Sequence, residues 1–327
     1  LEAIPMFPLS GGEMVYSYMA MGKFGGFMAA WAGILMNGVI FCWETLAVTK
    51  IVNYLFPQLA AFPPLWEILG VGVTLPSIVV GVVLALGIVA IQFNGGSFAA
   101  GISKVLTSVI IVLVIVGVVA ALANMNPEYL AVPQTKAPVE GARSLLAILT
   151  FTIAGWETVA KSAGEAKPQV RSKAGLALLL CLVICIVLNG LVVLAVCGIM
   201  PWTDAVNSSM PFADAIVAAT GIPALSVVLL VAALVGVVGV SNATLYNATR
   251  MMYGLSDVGL IHPAFKKLGG KKKCPVNCII FFGIFGVATP FLGSGVFLPL
   301  VDVVAVCTIA MWVMTFFSVI IMRKKYP

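Results

Sequence analysis

Residues 174–199 read AGLALLLCLVICIVLNGLVVLAVCGI, 26 positions without a single charged side chain. A run of that length in a helix covers the ~30 Å hydrocarbon core of a bilayer, which needs about 20 apolar residues. It is also too long and too uniformly apolar for a core helix of a soluble domain. Further blocks of the same kind lie on either side of it. Apolar runs place eight spans at 27–49, 72–93, 102–123, 144–163, 174–199, 223–249, 276–292 and 297–322. Residues 1–21 read as the end of an earlier helix with a break at Gly11 and Gly12. Helix is the form expected of all eight, because in lipid each backbone amide must find its partner within its own segment. The expectation is a single transmembrane domain over 1–327, an all-α polytopic membrane protein.

Composition agrees. Of 327 residues, 61% are hydrophobic and 9% charged, whereas a soluble domain carries about a quarter charged residues. The net charge of +6 does not indicate nucleic acid, because the basic residues lie in short loops between apolar blocks. Sorted by alternate loops, fourteen Lys and Arg fall on one side: Lys23, four within 161–173, six within 250–273, and Arg323 to Lys325. Three fall on the other, Lys50, Lys136 and Arg143, and Lys104 lies within a span. Cytoplasmic loops carry the excess of positive charge, so loops 161–173 and 250–273 and the C-terminal tail are expected in the cytoplasm of a plasma or inner membrane protein. Asp204 and Asp214, in a loop without Lys or Arg, fit the outside.

Five of the seven cysteines fall inside apolar spans, where Cys acts as a small hydrophobe. Cys274 and Cys278 with His262, the one histidine, do not supply four ligands at a metal-site spacing. No metal or cofactor is expected. An intramembrane protease would need His-Glu-x-x-His or a Ser with a His at depth; His262 falls in a loop, so an enzyme is not expected either. Leu-Glu-Ala-Ile-Pro lacks the basic start and apolar run of a signal peptide.

Charges within spans are costly and mark function. Glu157 follows Phe151-Thr152-Ile153-Ala154-Gly155-Trp156 in the fourth span. Small residues, a glycine and a carboxylate together can interrupt a helix and turn its backbone dipoles toward a polar cavity. A continuous helix, with Gly155 at a close contact and Glu157 paired, reads equally well. Lys104 is either a snorkelling lysine or a buried amine that carries a proton. Glu44 and Asp302 read either as members of a proton relay or, the reading preferred, as polar contacts between helices. Ser241 and Thr244 in the sixth span read either as back-bonding hydroxyls or as oxygens of a cation site.

Three stretches together resemble the amino acid–polyamine–organocation superfamily of permeases. They are Phe7-Pro8-Leu9-Ser10-Gly11-Gly12 with Tyr16 and Phe24-Gly25; Ala154-Gly155-Trp156-Glu157 with Gly164-Glu165-Ala166-Lys167-Pro168; and Asn247 with Arg250-Met251-Met252-Tyr253-Gly254 through Asp257 to Pro263. The resemblance implies an inverted five-helix-repeat fold with the eight spans as helices three to ten. Helix one would precede Leu1, and helices eleven and twelve would follow Pro327. It implies secondary transport of amino acids or related small organic cations by alternating access, as proton symport or exchange. An amino-acid sensor or an inactive fragment is the alternative.

By that resemblance Phe151 is an aromatic gate over the substrate, while Thr152, Ala154, Gly155 and Trp156 line the helix-six break. Glu157 and Lys104 are the proton-coupling groups. Ser241 and Thr244 lie at the hydroxyls of a sodium site, where the Lys104 ammonium would disfavour a second cation. Members bound to a glycoprotein heavy chain use a cysteine after helix three. Residues 51–71 have none, so no disulfide-linked partner is expected.

Overall fold

A computed structural model describes residues 12–94, 96–130, 138–156, 173–270 and 273–325. Among the described residues the principal helices are nine: α1 (Glu13–Leu55), α2 (Leu75–Phe93), α3 (Gly96–Ala123), α4 (Pro138–Ile153), α5 (Ala174–Ile199), α6 (Pro211–Thr220), α7 (Pro223–Asp257), α8 (Val276–Ala288) and α9 (Phe297–Lys325). Among the described residues, five helices are long and apolar enough to cross a membrane: α1, α2, α5, α7, and α9 with the turn before it. Three shorter apolar stretches accompany them, at Thr107–Ala123, Pro211–Thr220 and Val276–Leu292. This is a helical, multi-pass membrane protein.

Several elements differ from the sequence expectation. α1 is two helical segments, 13–21 and 23–55, joined across a kink at Gly22, and the second reaches beyond 27–49 at both ends. Gly12 precedes it with φ 49°, and a second interruption, not anticipated, falls at Gly22 with φ 73° and ψ −159°. No heavy atom lies within 4 Å of a Cβ built on Gly22, so the backbone angle, and not crowding, calls for glycine there. α4 begins six residues ahead of position 144 and ends at Ile153; residues 157–163 of that span lie outside the described residues. α8 tightens into 3-10 turns at Thr289–Leu292 and Ser294–Val296 before α9 begins.

Two small antiparallel hairpins interrupt the all-helical plan. β1 (Pro64–Ile68) pairs with β2 (Val71–Thr74), with Ile68 opposite Val71. Leu69 and Gly70 both have positive φ, 51° and 75°, the two-residue turn whose twist matches the strands. Trp66 Nε1 donates to the Phe291 carbonyl at 2.9 Å, tying this hairpin to the end of α8. β3 (Leu268–Gly269) and β4 (Cys274–Pro275) form the second.

α1 is the central helix, flanked mainly by α9 and α7, with α2 beside it. Lipid gives helices no hydrophobic reason to associate, so close packing and buried hydrogen bonds must hold them together. α1 supplies both. A Cβ on Gly33 would lie 2.4 Å from Met251 Cε of α7 and 3.2 Å from Met311 Sδ of α9. Between α1 and α8 the fit is reciprocal. The Phe282 ring lies against Gly38, and the Phe41 ring lies against Gly286, at 2.6 and 2.3 Å from the Cβ positions. Asn37 Nδ2 donates to the Gly33 carbonyl at 2.8 Å, and Asn247 Nδ2 donates across to Asn37 Oδ1 at 3.3 Å. Ser318 Oγ of α9 donates to Ser17 Oγ at 3.1 Å. Gln92 Nε2 of α2 donates to both the backbone and side-chain oxygens of Asn242, each at 2.8 Å, tying α2 to α7.

Gly81 of α2 tests this packing. A Cβ there would lie 2.7 Å from the Thr45 carbonyl oxygen and 2.5 Å from Pro290 Cγ. Backbone cannot rotate away as a side chain can, so Gly81→Ala is expected to destabilise the folded protein by about 1–3 kcal/mol. Gly87→Ala, with nothing within 4 Å, is expected to be neutral or slightly stabilising. Thermal unfolding of the two variants in detergent, followed by size-exclusion chromatography, checks the difference.

Candidate functional site

The last turn of α4 carries Phe151 and Thr152, and the helix stops one residue later. Ala154 N–H closes a tight turn on the Phe151 carbonyl at 3.2 Å, and Gly155 takes φ 110°. Among the described residues nothing lies within 4 Å of a Cβ built on Gly155. Its backbone angle is one that an L side chain rarely adopts, which calls for glycine there. α4 thus ends at Ile153, and no regular helix runs through Gly155.

Helix C-termini present carbonyl oxygens with partial negative charge. That is the chemistry by which a broken membrane helix can hold an ammonium group. Thr152 does not add its hydroxyl to this set, since Oγ1 donates back to the Ile148 carbonyl and the residue is exposed.

Aromatic rings surround the break. Phe151 packs among Met36, Ile40, Val304 and Met311 from α1 and α9. Its ring centroid lies 5.0 Å from that of Trp43, which in turn lies 4.5 Å from Phe297. Trp156 meets Trp312 of α9 at 5.6 Å. The indole nitrogens of Trp43, Trp156 and Trp312 are all buried without a hydrogen-bond partner among the described residues. Buried indole N–H groups ordinarily find one.

Ser241 and Thr244 lie elsewhere, on α7, whose main neighbours are α1 and α3. Thr244 Oγ1 donates to Val240 and Ser241 carbonyls at 2.9 and 3.2 Å, so it is engaged with its own helix. Ser241 Oγ is fully buried and has no partner among the described residues. Lys104 lies on the first half of α3, with its side chain outside what is described. Glu157 and the loop 161–172 lie outside the described residues.

Two sequence readings are corrected here. Asp302 is exposed on α9 and is not a buried interhelical contact. Glu44 is 6% exposed, yet it makes no hydrogen bond or ion pair with any described residue. Its face of α1 borders a cavity instead of a neighbouring helix. Sequence gives no sign of that, because the period of a helix names a face and not what lies opposite.

His262 in the loop after α7 and Cys278 of α8 each have a partner close by in the chain. His262 Nδ1 accepts from the Ala264 amide at 3.2 Å, and Cys278 Sγ donates to the Phe265 carbonyl at 3.2 Å.

With this geometry in view, comparison with known proteins is decisive. The model of the family described as amino acid permease matches residues 3–327. The chain belongs to that family. It is thus a permease of the amino acid–polyamine–organocation superfamily and not an enzyme. Among similar proteins, the γ-aminobutyric acid permease of Bacillus subtilis is 27% identical over 97% of this chain and 67% of its own length. The methylthioribose transporter of the same organism is 25% identical over 98% and 68%. The D-serine/D-alanine/glycine transporter of Escherichia coli is 24% identical over 97% and 70%.

In this permease the backbone angle at Gly155 gives a test. Gly155→Ala forces a side chain into a positive-φ conformation at a cost of about 1–3 kcal/mol, and the turn is expected to shift. Binding of amino acid to the purified protein should weaken about tenfold or more. Gly141→Ala, in the body of α4 with nothing within 4 Å, should bind as the parent does. Equilibrium dialysis with radiolabelled amino acid measures both.

Proposed function

We propose that this permease carries amino acids or related small organic cations across the membrane by alternating access, coupled to protons or to counter-substrate. The observation that carries the reading is the end of α4 at Ile153 with Gly155 in a positive-φ turn, in a helix surrounded by aromatic rings. An amino acid's ammonium is held by the carbonyl end of α4, with Thr152, Ala154, Gly155 and Trp156 forming that wall and Phe151 covering it. One helix bundle then rocks against the rest, in the inverted five-helix-repeat arrangement that the family resemblance implies.

Proton coupling is assigned to Lys104 and Glu157. A proton gained or lost on either changes the local charge by one unit and biases which side is open. Ser241 and Thr244 stand where a coupling cation would be held. A charged Lys104 opposes a second cation there, which favours proton coupling or exchange over sodium. On the charge pattern, loops 161–173 and 250–273 and the C-terminal tail face the cytoplasm, and the end bearing Lys50 faces out. The relatives named for γ-aminobutyric acid and for D-serine, D-alanine and glycine support small zwitterions as the substrate class.

Uptake of radiolabelled amino acids into proteoliposomes tests this reading. Phe151→Ala is expected to raise KM about tenfold with a smaller change in kcat, and Phe151→Tyr to restore it. Lys104→Ala should lose most of the stimulation by an inward proton gradient. A Lys104→Ala protein that keeps its full gradient dependence would remove Lys104 from the coupling role. A protein that binds amino acid but moves none would be a sensor.

A further inference from the structure

A cavity of about 410 Å³ opens beside α1, lined by Trp43, Glu44, Ala47, Lys50, Met210 and Phe297 among others. It lies at the end of the molecule where Lys50 and the loop before α6 meet. Its outer edge is held in place by Asp214, which accepts hydrogen bonds from Tyr54 of α1 and from Ser208. The Met210 amide then donates to Ser208 Oγ at 3.0 Å.

Two of the lining side chains are ionisable, one an acid and the other a base. Glu44 is 6% exposed and has no partner among the described residues. A carboxylate so enclosed without a donor is costly to keep, and a donor arriving from the cavity would relieve that cost. Lys50 is exposed, with Nζ 4.4 Å from the Phe297 ring centroid, and forms no ion pair among the described residues. Six residues separate the two along one helix, about 9 Å of axial rise. The charges do not satisfy each other. The remaining walls are aromatic or aliphatic, apart from Ser209. Trp43 joins this cavity to the helix break, since its ring contacts Phe297 on one side and Phe151 on the other.

We propose that this cavity is a receiving site for a zwitterion at the outer mouth of the permease, ahead of the Phe151 gate. Glu44 takes the ammonium, Lys50 takes the carboxylate, and the Trp43 and Phe297 rings cover the carbon chain. The site rests on the transport reading above, which places this end outside and Phe151 between it and the helix break.

The test uses the full chain in detergent, with γ-aminobutyrate and its two half-ligands, butylamine and butyrate, as probes. Binding is read as the part of the indole fluorescence change that is lost in Trp43→Phe. Glu44→Gln, which keeps the side-chain shape, is expected to weaken γ-aminobutyrate and butylamine about tenfold or more while leaving butyrate unchanged. Lys50→Gln should do the converse. Ala47→Trp, which fills the cavity, should abolish all three responses.

Half-ligands that respond alike in both charge variants would overturn the assignment. So would a parent protein whose Trp43 fluorescence ignores γ-aminobutyrate. Uptake into proteoliposomes without that fluorescence response would leave transport standing and remove the receiving site. The response without uptake would do the reverse.

Discussion

The close approach of α1 to its neighbours is the constraint on which the rest of this structure depends. In lipid, apolar side chains gain little by touching one another instead of acyl chains, so helix association rests on contact distance and on hydrogen bonds that have no alternative partner. α1 satisfies both along one helix. Gly33 admits methionines from two sides, Gly38 and Gly286 each receive a phenyl ring, and Asn37, Asn247, Ser17 and Ser318 bond across the seams. Methionine suits the Gly33 position because its unbranched thioether adapts to an irregular gap. With α1 fixed in this way, Trp43 and Glu44 are held at set heights along the helix, Trp43 against Phe151 at the end of α4.

α4 is held differently. It packs on α9 and α5, and it ends at Ile153. A helix that stops there leaves carbonyl oxygens to be satisfied by something other than its own amides. A permease can turn that deficit to use, because a substrate ammonium is a suitable partner. The three buried indole N–H groups near this break have the same character: donors placed where the protein itself supplies no acceptor among the described residues. Structural seams and working surfaces are thus told apart by satisfaction. Asn37 and Gln92 bond neighbouring helices, whereas Glu44 borders a cavity.

Much of this was legible in the chain itself. Unbroken apolar blocks such as 174–199 fix the membrane class, because no other environment accepts them. The glycine within Ala154-Gly155-Trp156 signals a break that the backbone does make. The reading failed where a side chain's role depended on what stood opposite. Glu44 and Asp302 looked alike as isolated acids in apolar spans, but one borders a cavity and the other is exposed. The kink at Gly22 that divides α1 was also hidden, since a glycine inside a helical pattern can as well be a packing surface.

Sequence by itself determined that this protein is helical and lives in a bilayer, because the lengths of its apolar runs and the need of every amide for a local partner leave no other form. It also determined which glycine could open the fourth span. Tertiary structure alone decided which of the many small residues are seams and which acids and rings face a cavity. Those distinctions are distances between helices far apart in the chain, and periodicity along one helix carries no information about its neighbours.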